Sequence, residues 1–208
     1  MEDVLEVYTR PYDPRWPQVC FDEGGIQLRA DIRPPEPVRA GRPARQDYEY
    51  ERRGGANLFM FTEPLRGWRQ VWVTERHTAI DVAKALRRLV DEWYPDAERI
   101  VLVSDNLNVH SVASLYTAFA PAEARRLASK LEWHYTPLHA SWLNMAELEL
   151  SVLARQCLAR RWPNLDSLRT EVAAWVQTRN ADTTRIDWRF TSPDARIKLK
   201  HLYPAITL

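Results

Sequence analysis

The chain has 208 residues, is 45% hydrophobic, and carries 29 Lys and Arg against 28 Asp and Glu, a formal charge of +1. That length and apolar content exclude a disordered chain and suit one large domain or two small ones with a real core. The charge balance excludes a uniformly basic nucleic-acid binder, so any basic surface is local. Lys stands only at Lys84, Lys130, Lys198 and Lys200, and the Arg excess either serves bidentate phosphate contacts or reflects a GC-rich genome.

Residues 1–17 read as an N-terminal lead-in in which Pro11, Pro14 and Pro17 block regular structure. Residues 18–29 read as a strand, and Gly24 and Gly25 predict a bulge or tight bend beside Asp22. Residues 30–56, rich in Pro, Gly and Arg, read as one long loop, a length that is often functional. The apolar runs at 56–63 and 68–75 form a hairpin pair across 64–67. Residues 78–94 have helical spacing, with Thr78 as N-cap and Pro95 as stop. Residues 99–105 are a nearly all-apolar run, the mark of a central strand covered on both faces. Helix follows at 111–129, broken at Pro121, then a short strand at 131–136, then helices at 142–161 and 165–180.

That order predicts an α/β protein. Its mixed five-stranded sheet is flanked by helices in the ribonuclease H-like arrangement, with the first and fourth strands as neighbours. The domain is expected over 18–208. Cys20 and Cys157 are expected as buried free thiols in a reducing cytosol. The acidic start lacks a secretory signal and no stretch reaches transmembrane length, so the expectation is a cytoplasmic protein with no membrane partner.

Three acids end or follow apolar runs: Asp22, Asp105 and Glu147. An acid at the tip of a buried strand is costly to place. Two strand-end carboxylates and one helical carboxylate suggest a divalent-metal site for phosphodiester chemistry, since Mg²⁺ takes hard oxygen ligands. Each acid also has a plain reading, as a turn residue, a cap or a solvated helix position. Glu149 competes with Glu147, but positions two apart on a helix point about 200° apart. Glu23 beside Asp22 faces the opposite side of its strand. The five histidines have no zinc spacing with either cysteine.

Several segments carry a resemblance: VCFDEGGIQL, RQDYEYERRGGANLFMFTEP, VTERHTAIDVAKAL, LVSDNLNVH, EWHYTPLHASWLNMAELELSVLARQCL and ARIKLKHLYP. Together they resemble the catalytic domain of insertion-sequence-630 family transposases, relatives of the mariner group. The resemblance runs from about residue 10 to residue 204. It implies an Asp-Asp-Glu transposase, with Asp22 as the first catalytic Asp, Asp105 as the Asp of the Asp-Asn motif, and Glu147 as the Glu of Asn-x-x-Glu, after Asn144. The choice of Glu147 over Glu149 is part of what it implies.

The implied activity is metal-dependent DNA cleavage at transposon ends followed by strand transfer into target DNA. The implied cofactor is two Mg²⁺ or Mn²⁺ ions, and the implied assembly is a homodimer. Family members carry N-terminal helix-turn-helix domains, and few residues precede Asp22 here. End recognition is therefore expected from a separate N-terminal helix-turn-helix polypeptide, unless the chain is a truncated copy.

Supporting residues are Asn106, His110 and Asn144. His110 contacts the scissile phosphate, orients Asp105, or is a plain helix-start residue. Asn144 orients Glu147 or caps its helix. His139 is expected in a polar packing role, and the nine tryptophans in core or interface. DNA contacts fall to Arg42, Arg45, Arg52 and Arg53, interleaved with Tyr48 and Tyr50, against a solvated or protomer-docking loop. The rival functions are a non-catalytic DNA-binding or dimerising remnant, and a ribonuclease H-like nuclease on RNA–DNA hybrids.

Overall fold

A computed structural model describes residues 1–203. Pro204, the last residue of the ARIKLKHLYP segment, and residues 205–208 of the 18–208 span lie outside them. Five strands form one sheet in the order β3-β2-β1-β4-β5. They are β1 (Gln18–Asp31), β2 (Tyr50–Glu63), β3 (Trp68–Thr74), β4 (Ile100–Ser104) and β5 (Leu131–Tyr135). The first three are antiparallel neighbours, and β4 joins β1 in parallel with β5 beyond it. This is the mixed, helix-flanked sheet that the order of elements predicts.

Alternation along the strands splits the core in two. Cys20, Met60, Val101 and Val103 face one layer. It holds α1 (Glu2–Thr9), α5 (Met145–Gln156), α6 (Leu165–Ala181) and α7 (Ser192–Lys198). Phe21, Phe59, Phe61 and Leu102 face the other. It holds α2 (Ala79–Arg88), α3 (Val112–Ala118) and α4 (Pro121–Ser129). Strand β4 is buried throughout, as its unbroken apolar run requires. Thr78 and Asp81 make a capping box at the start of α2. Beyond it a single π turn, Leu89–Trp93, closes on the bond from Tyr94 N–H to Leu89 C=O. Pro121 stands at the first turn of α4, which separates it from α3. Both cysteines are free and buried.

Four expectations need correction. Residues 1–17 are not an unstructured lead-in, because α1 forms ahead of the prolines and buries Val4, Leu5, Val7 and Tyr8 in the core. The Tyr8 hydroxyl donates to the Leu143 carbonyl at 2.6 Å, tying α1 to the entry of α5. Gly24 and Gly25 make no bulge: they pair with Leu58 and Asn57 in unbroken register, and the irregularity falls between Gln27 and Arg29. The 30–56 loop is shorter than expected, because β1 and β2 continue as a polar two-stranded ribbon that pairs Arg29 with Arg52 and Asp31 with Tyr50. Ladder bonds need no apolar side chains, so hydropathy does not reveal it. Finally, the helix expected over 142–161 splits at Asn144, whose extended ψ of 109° separates a 3₁₀ turn (Ser141–Leu143) from α5.

Removing the Tyr8 hydroxyl leaves the buried Leu143 carbonyl without its donor. Tyr8→Phe is expected to lower unfolding free energy by about 1–3 kcal/mol, read from urea denaturation; an unchanged midpoint would show that α1 is not tied to the domain there.

Candidate active site

Parallel register places the two aspartates abreast. Phe21 pairs with Ser104, so Asp22 and Asp105 follow at the same level on neighbouring strands. Alternation then assigns faces: Cys20 lies in the α5 layer and Phe21 in the α2 layer, so Asp22 turns toward α5 and Glu23 away from it.

Helix α5 lies along β1 through one stripe. Asn144 is fully buried; its Nδ2 donates to the Phe21 carbonyl at 2.8 Å, and its Oδ1 accepts from Ala146 N–H at 3.1 Å as the N-cap. It thus caps the helix and anchors it beside Asp22. Two turns on, Leu150 lies over Gly24, where an added Cβ would meet its Cδ2 at 3.5 Å. Glu147 sits between these contacts at the same i, i+3 spacing, half-buried over β1.

Glu149 is engaged elsewhere. It is buried on the far side of α5, where Arg179 donates to it at 2.9 Å and Arg69 lies 3.3 Å away. Glu147 has no such partner, and its Oε2 is buried without a hydrogen bond. A buried carboxylate oxygen in that state is an exception that calls for a cation or donor.

His110, fully buried, packs tilted against Phe21 in the opposite layer with ring centroids 4.7 Å apart. Its Nδ1 meets Asp105 Oδ1 and its Nε2 meets Glu23. Sequence reasoning missed Glu23. It does face away from Asp22, but His110 carries its charge back to Asp105. Asp105 Oδ1 also accepts from Leu107 N–H at 3.2 Å, so both bonds fall on one oxygen and Oδ2 remains for a further ligand. Asn106 is exposed on the wall of a groove of about 190 Å³ beside Asp105. The opposite wall runs from Thr136 to Ser141 and includes His139 with φ of 61°, a left-handed conformation uncommon outside glycine.

The charges are unevenly balanced. Burial, with the charges of Asp105 and Glu23 adding to it, pushes the Asp22 carboxyl up to about 7. The His110 bond holds Asp105 below its usual range against a smaller effect of burial. Burial alone would lower His110, but its contacts with Asp105 and Glu23 outweigh it and raise the imidazole to about 9. The contacts of His110 thus favour its charged form, while burial favours the neutral form of Asp22.

The donor set fits a hard divalent cation. Asp22, Asp105 and Glu147 offer carboxylate oxygens, and Glu147 Oε2 is a buried acceptor with no partner. Among the described residues no three His, Cys, Asp or Glu side chains already stand in a ready-made ligand cluster. The structure thus brings Asp22, Asp105, Glu147, Asn144 and His110 to one end of the sheet. It does not bring the four arginines there. Arg42 and Arg45 lie in an exposed arm with isolated bridges Arg39–Arg42 and Glu36–Arg45, while Arg52 and Arg53 lie on the ribbon of β2. Arg161 holds the arm's base through Asp31 and the Asp47 and Glu49 carbonyls. Of the tryptophans, Trp162 is buried, whereas Trp142 is exposed and stacks on Trp188.

A proton on Asp22 competes with a metal ion. With its carboxyl at about 7, the affinity for Mn²⁺ is expected to fall as pH drops from 8 to 6, because more of Asp22 is neutral in the lower range. Thermal stabilisation by Mn²⁺ at the two pH values measures this, and equal shifts would contradict it. Asn144→Ala removes a cap and leaves a buried carbonyl unpaired; it is expected to cost about 2–4 kcal/mol in denaturant unfolding, and a change below 0.5 kcal/mol (roughly the surface-substitution range) would refute the anchoring role.

Comparison with known proteins follows the same lines. A family model described as DDE superfamily endonuclease matches residues 17–169, a span that includes all three acids. A search of curated proteins finds no match. Among solved structures, the Mos1 mariner paired-end complex with Mn is 19% identical at a TM-score of 0.52, over 87% of this chain and 54% of that one. The Mos1 transposase paired-end complex with left transposon end is 16% identical at 0.56, over 88% and 56%. Likeness at those identities is a likeness of fold, the ribonuclease H-like sheet with its helices. The chain spans about half the length of those structures. No helix among the described residues is long and apolar enough to cross a membrane. The family match extends over most of the chain and carries the two strand-end aspartates and the helical glutamate with it, so the chain belongs to the DDE superfamily of endonucleases.

Proposed function

We propose that this chain is the catalytic domain of an insertion-sequence-630-type transposase, acting in the cytoplasm on DNA. Water attacks the scissile phosphodiester at a transposon end, breaking the P–O3′ bond to leave a 5′ phosphate and release a 3′ hydroxyl; that hydroxyl then attacks a phosphodiester of target DNA, joining the transposon end to the target 5′ phosphate and displacing the target 3′ oxygen. The observation that carries the reading is the alignment of Asp22 with Asp105 on adjacent parallel strands, under a helix whose Glu147 keeps a buried, unpartnered oxygen. The names of the solved relatives, with their paired transposon ends and Mn, supply the substrate class and cofactor that we extend to this chain.

Asp22, Asp105 and Glu147 would hold Mg²⁺ or Mn²⁺, two ions in the working site. Bound there, the metal supplies Lewis acidity for the attacking and leaving oxygens of phosphodiester transfer. The chain's own residues hold the geometry. Asn144 fixes the helix start against Phe21. His110 holds Asp105 by one oxygen, so its other oxygen has a fixed direction. Asn106, exposed beside Asp105, is placed to donate to a phosphate oxygen. Arg42, Arg45, Arg52 and Arg53 would bind DNA backbone away from the cut, since phosphate contacts position a duplex without reading it. Partners are transposon-end and target DNA, a second copy of the chain, and a helix-turn-helix module, in this polypeptide or another, that recognises the ends.

The test is metal-dependent cleavage of plasmid DNA carrying the element's ends, with duplex and RNA–DNA hybrid substrates in parallel. Asp22→Ala, Asp105→Ala and Glu147→Ala are each expected to lower nicking by at least about 10²-fold, the scale of losing one transition-state electrostatic contact. Cleavage of the hybrid in preference to duplex would favour the ribonuclease reading. No cleavage, even with a helix-turn-helix module supplied, would favour a non-catalytic remnant.

A further inference from the structure

On the far side of α5 lies a charge cluster that the chemistry above does not use. Among the described residues, Arg69 of β3 is the largest fully buried side chain. Its Nη1 donates to the Arg179 carbonyl at 2.8 Å and its Nη2 to the Thr184 carbonyl at 2.7 Å. Its Nε lies 3.3 Å from Glu149 Oε2. Arg179 of α6 grips the same carboxylate with two donors, Nε at 3.2 Å and Nη2 at 2.9 Å. Asn180 in turn holds the Arg69 backbone, accepting from its N–H at 2.9 Å and donating to its C=O at 2.8 Å.

The Arg69 guanidinium and the Glu149 carboxylate are thus withdrawn from water, with Arg179 only partly exposed beside them. A buried ion network seldom adds stability over well-packed apolar residues, so its stability contribution does not explain it. What it does supply is direction, because a planar guanidinium fork donates to a carboxylate in few orientations. Glu149 follows Glu147 by two residues, about 200° round the helix. Clamping Glu149 at the back therefore fixes the rotation at which Glu147 faces β1. The rest of α5 is held by one side-chain hydrogen bond from Asn144 and by apolar packing of Met145, Ala146, Leu150 and Leu153 in the core, contacts that fix depth more than the direction of a carboxylate. A slip of one residue would turn Glu147 by about 100° and remove it from the site.

We propose that Glu149, Arg69 and Arg179 are positioning residues that lock the rotation of α5 and so hold Glu147 toward Asp22 and Asp105. The proposal rests on the metal-site reading of those three acids. It is tested on the full chain through Mn²⁺ affinity, read from the electron paramagnetic resonance of free Mn²⁺, in wild type, E147Q, E149Q and the E147Q/E149Q double variant, with circular dichroism as the check on folding.

E149Q is expected to stay folded and bind Mn²⁺ about tenfold more weakly, the lower end of the range for residues that orient a ligand. In the E147Q background the same substitution is expected to change nothing further, because Glu149 acts through Glu147. Wild-type affinity in E149Q overturns the proposal. So does a loss equally large with and without Glu147, which a general loosening of the helix would give. Should E149Q fail to fold, R179K is read instead: it keeps the buried charge and loses the fork, and wild-type affinity in it overturns the proposal. Wild type binding no more tightly than E147Q would bring down the metal-site reading and this proposal together, whereas tight wild-type binding unaltered in E149Q removes the positioning role alone.

Discussion

Parallel pairing of β1 with β4 brings Asp22 and Asp105 to one level on strands about 4.8 Å apart. Two carboxylates that close repel each other unless a proton or a cation intervenes. The rest of the site answers that constraint in three ways: Asp22 retains a proton up to about 7, Asp105 leans on His110, and a second acid, Glu23, steadies that histidine from the far face of the sheet. A divalent cation would take over the task of the proton on Asp22 and reach the partnerless oxygen of Glu147 as well.

Alternation of side chains turns this single pairing into a two-sided device. Asp22 and α5 occupy one layer, His110 and Glu23 the other, and the sheet between them carries apolar core residues on both faces. Helix α5 is then held at both its faces. The front carries Asn144, Glu147 and Leu150 against β1; the back carries Glu149 against two arginines. Helix α1, through Tyr8 and Leu143, braces the turn from which α5 starts.

The sheet order was legible because each core strand had a clear pattern: an unbroken apolar run for β4, apolar hairpin runs for β2 and β3, a proline between the helices α3 and α4. Asp22 and Asp105 could be placed as neighbours from that order alone. The choice between Glu147 and Glu149 was not legible from spacing, since both lie on one helix; the resemblance favours Glu147, and in the structure Glu149 is taken up by arginines distant in sequence. Arg69 gave a faint signal, a charged residue inside an alternating apolar strand, but its partners lie on α5 and α6, far away in sequence. Helix α1 was obscured by the prolines after it. The ribbon extending β1 and β2 was obscured because its ladder is polar on both sides and hydropathy is blind to it.

The central claim is that Asp22, Asp105 and Glu147 form one metal site. A crystal of the full chain soaked in Mn²⁺ and measured at the manganese absorption edge tests it directly. The account predicts anomalous density between the two strand-end aspartates and α5, bounded by Glu147. Density elsewhere, for example at the Asp3, Glu132 and His134 cluster, with none between the three acids, would contradict it.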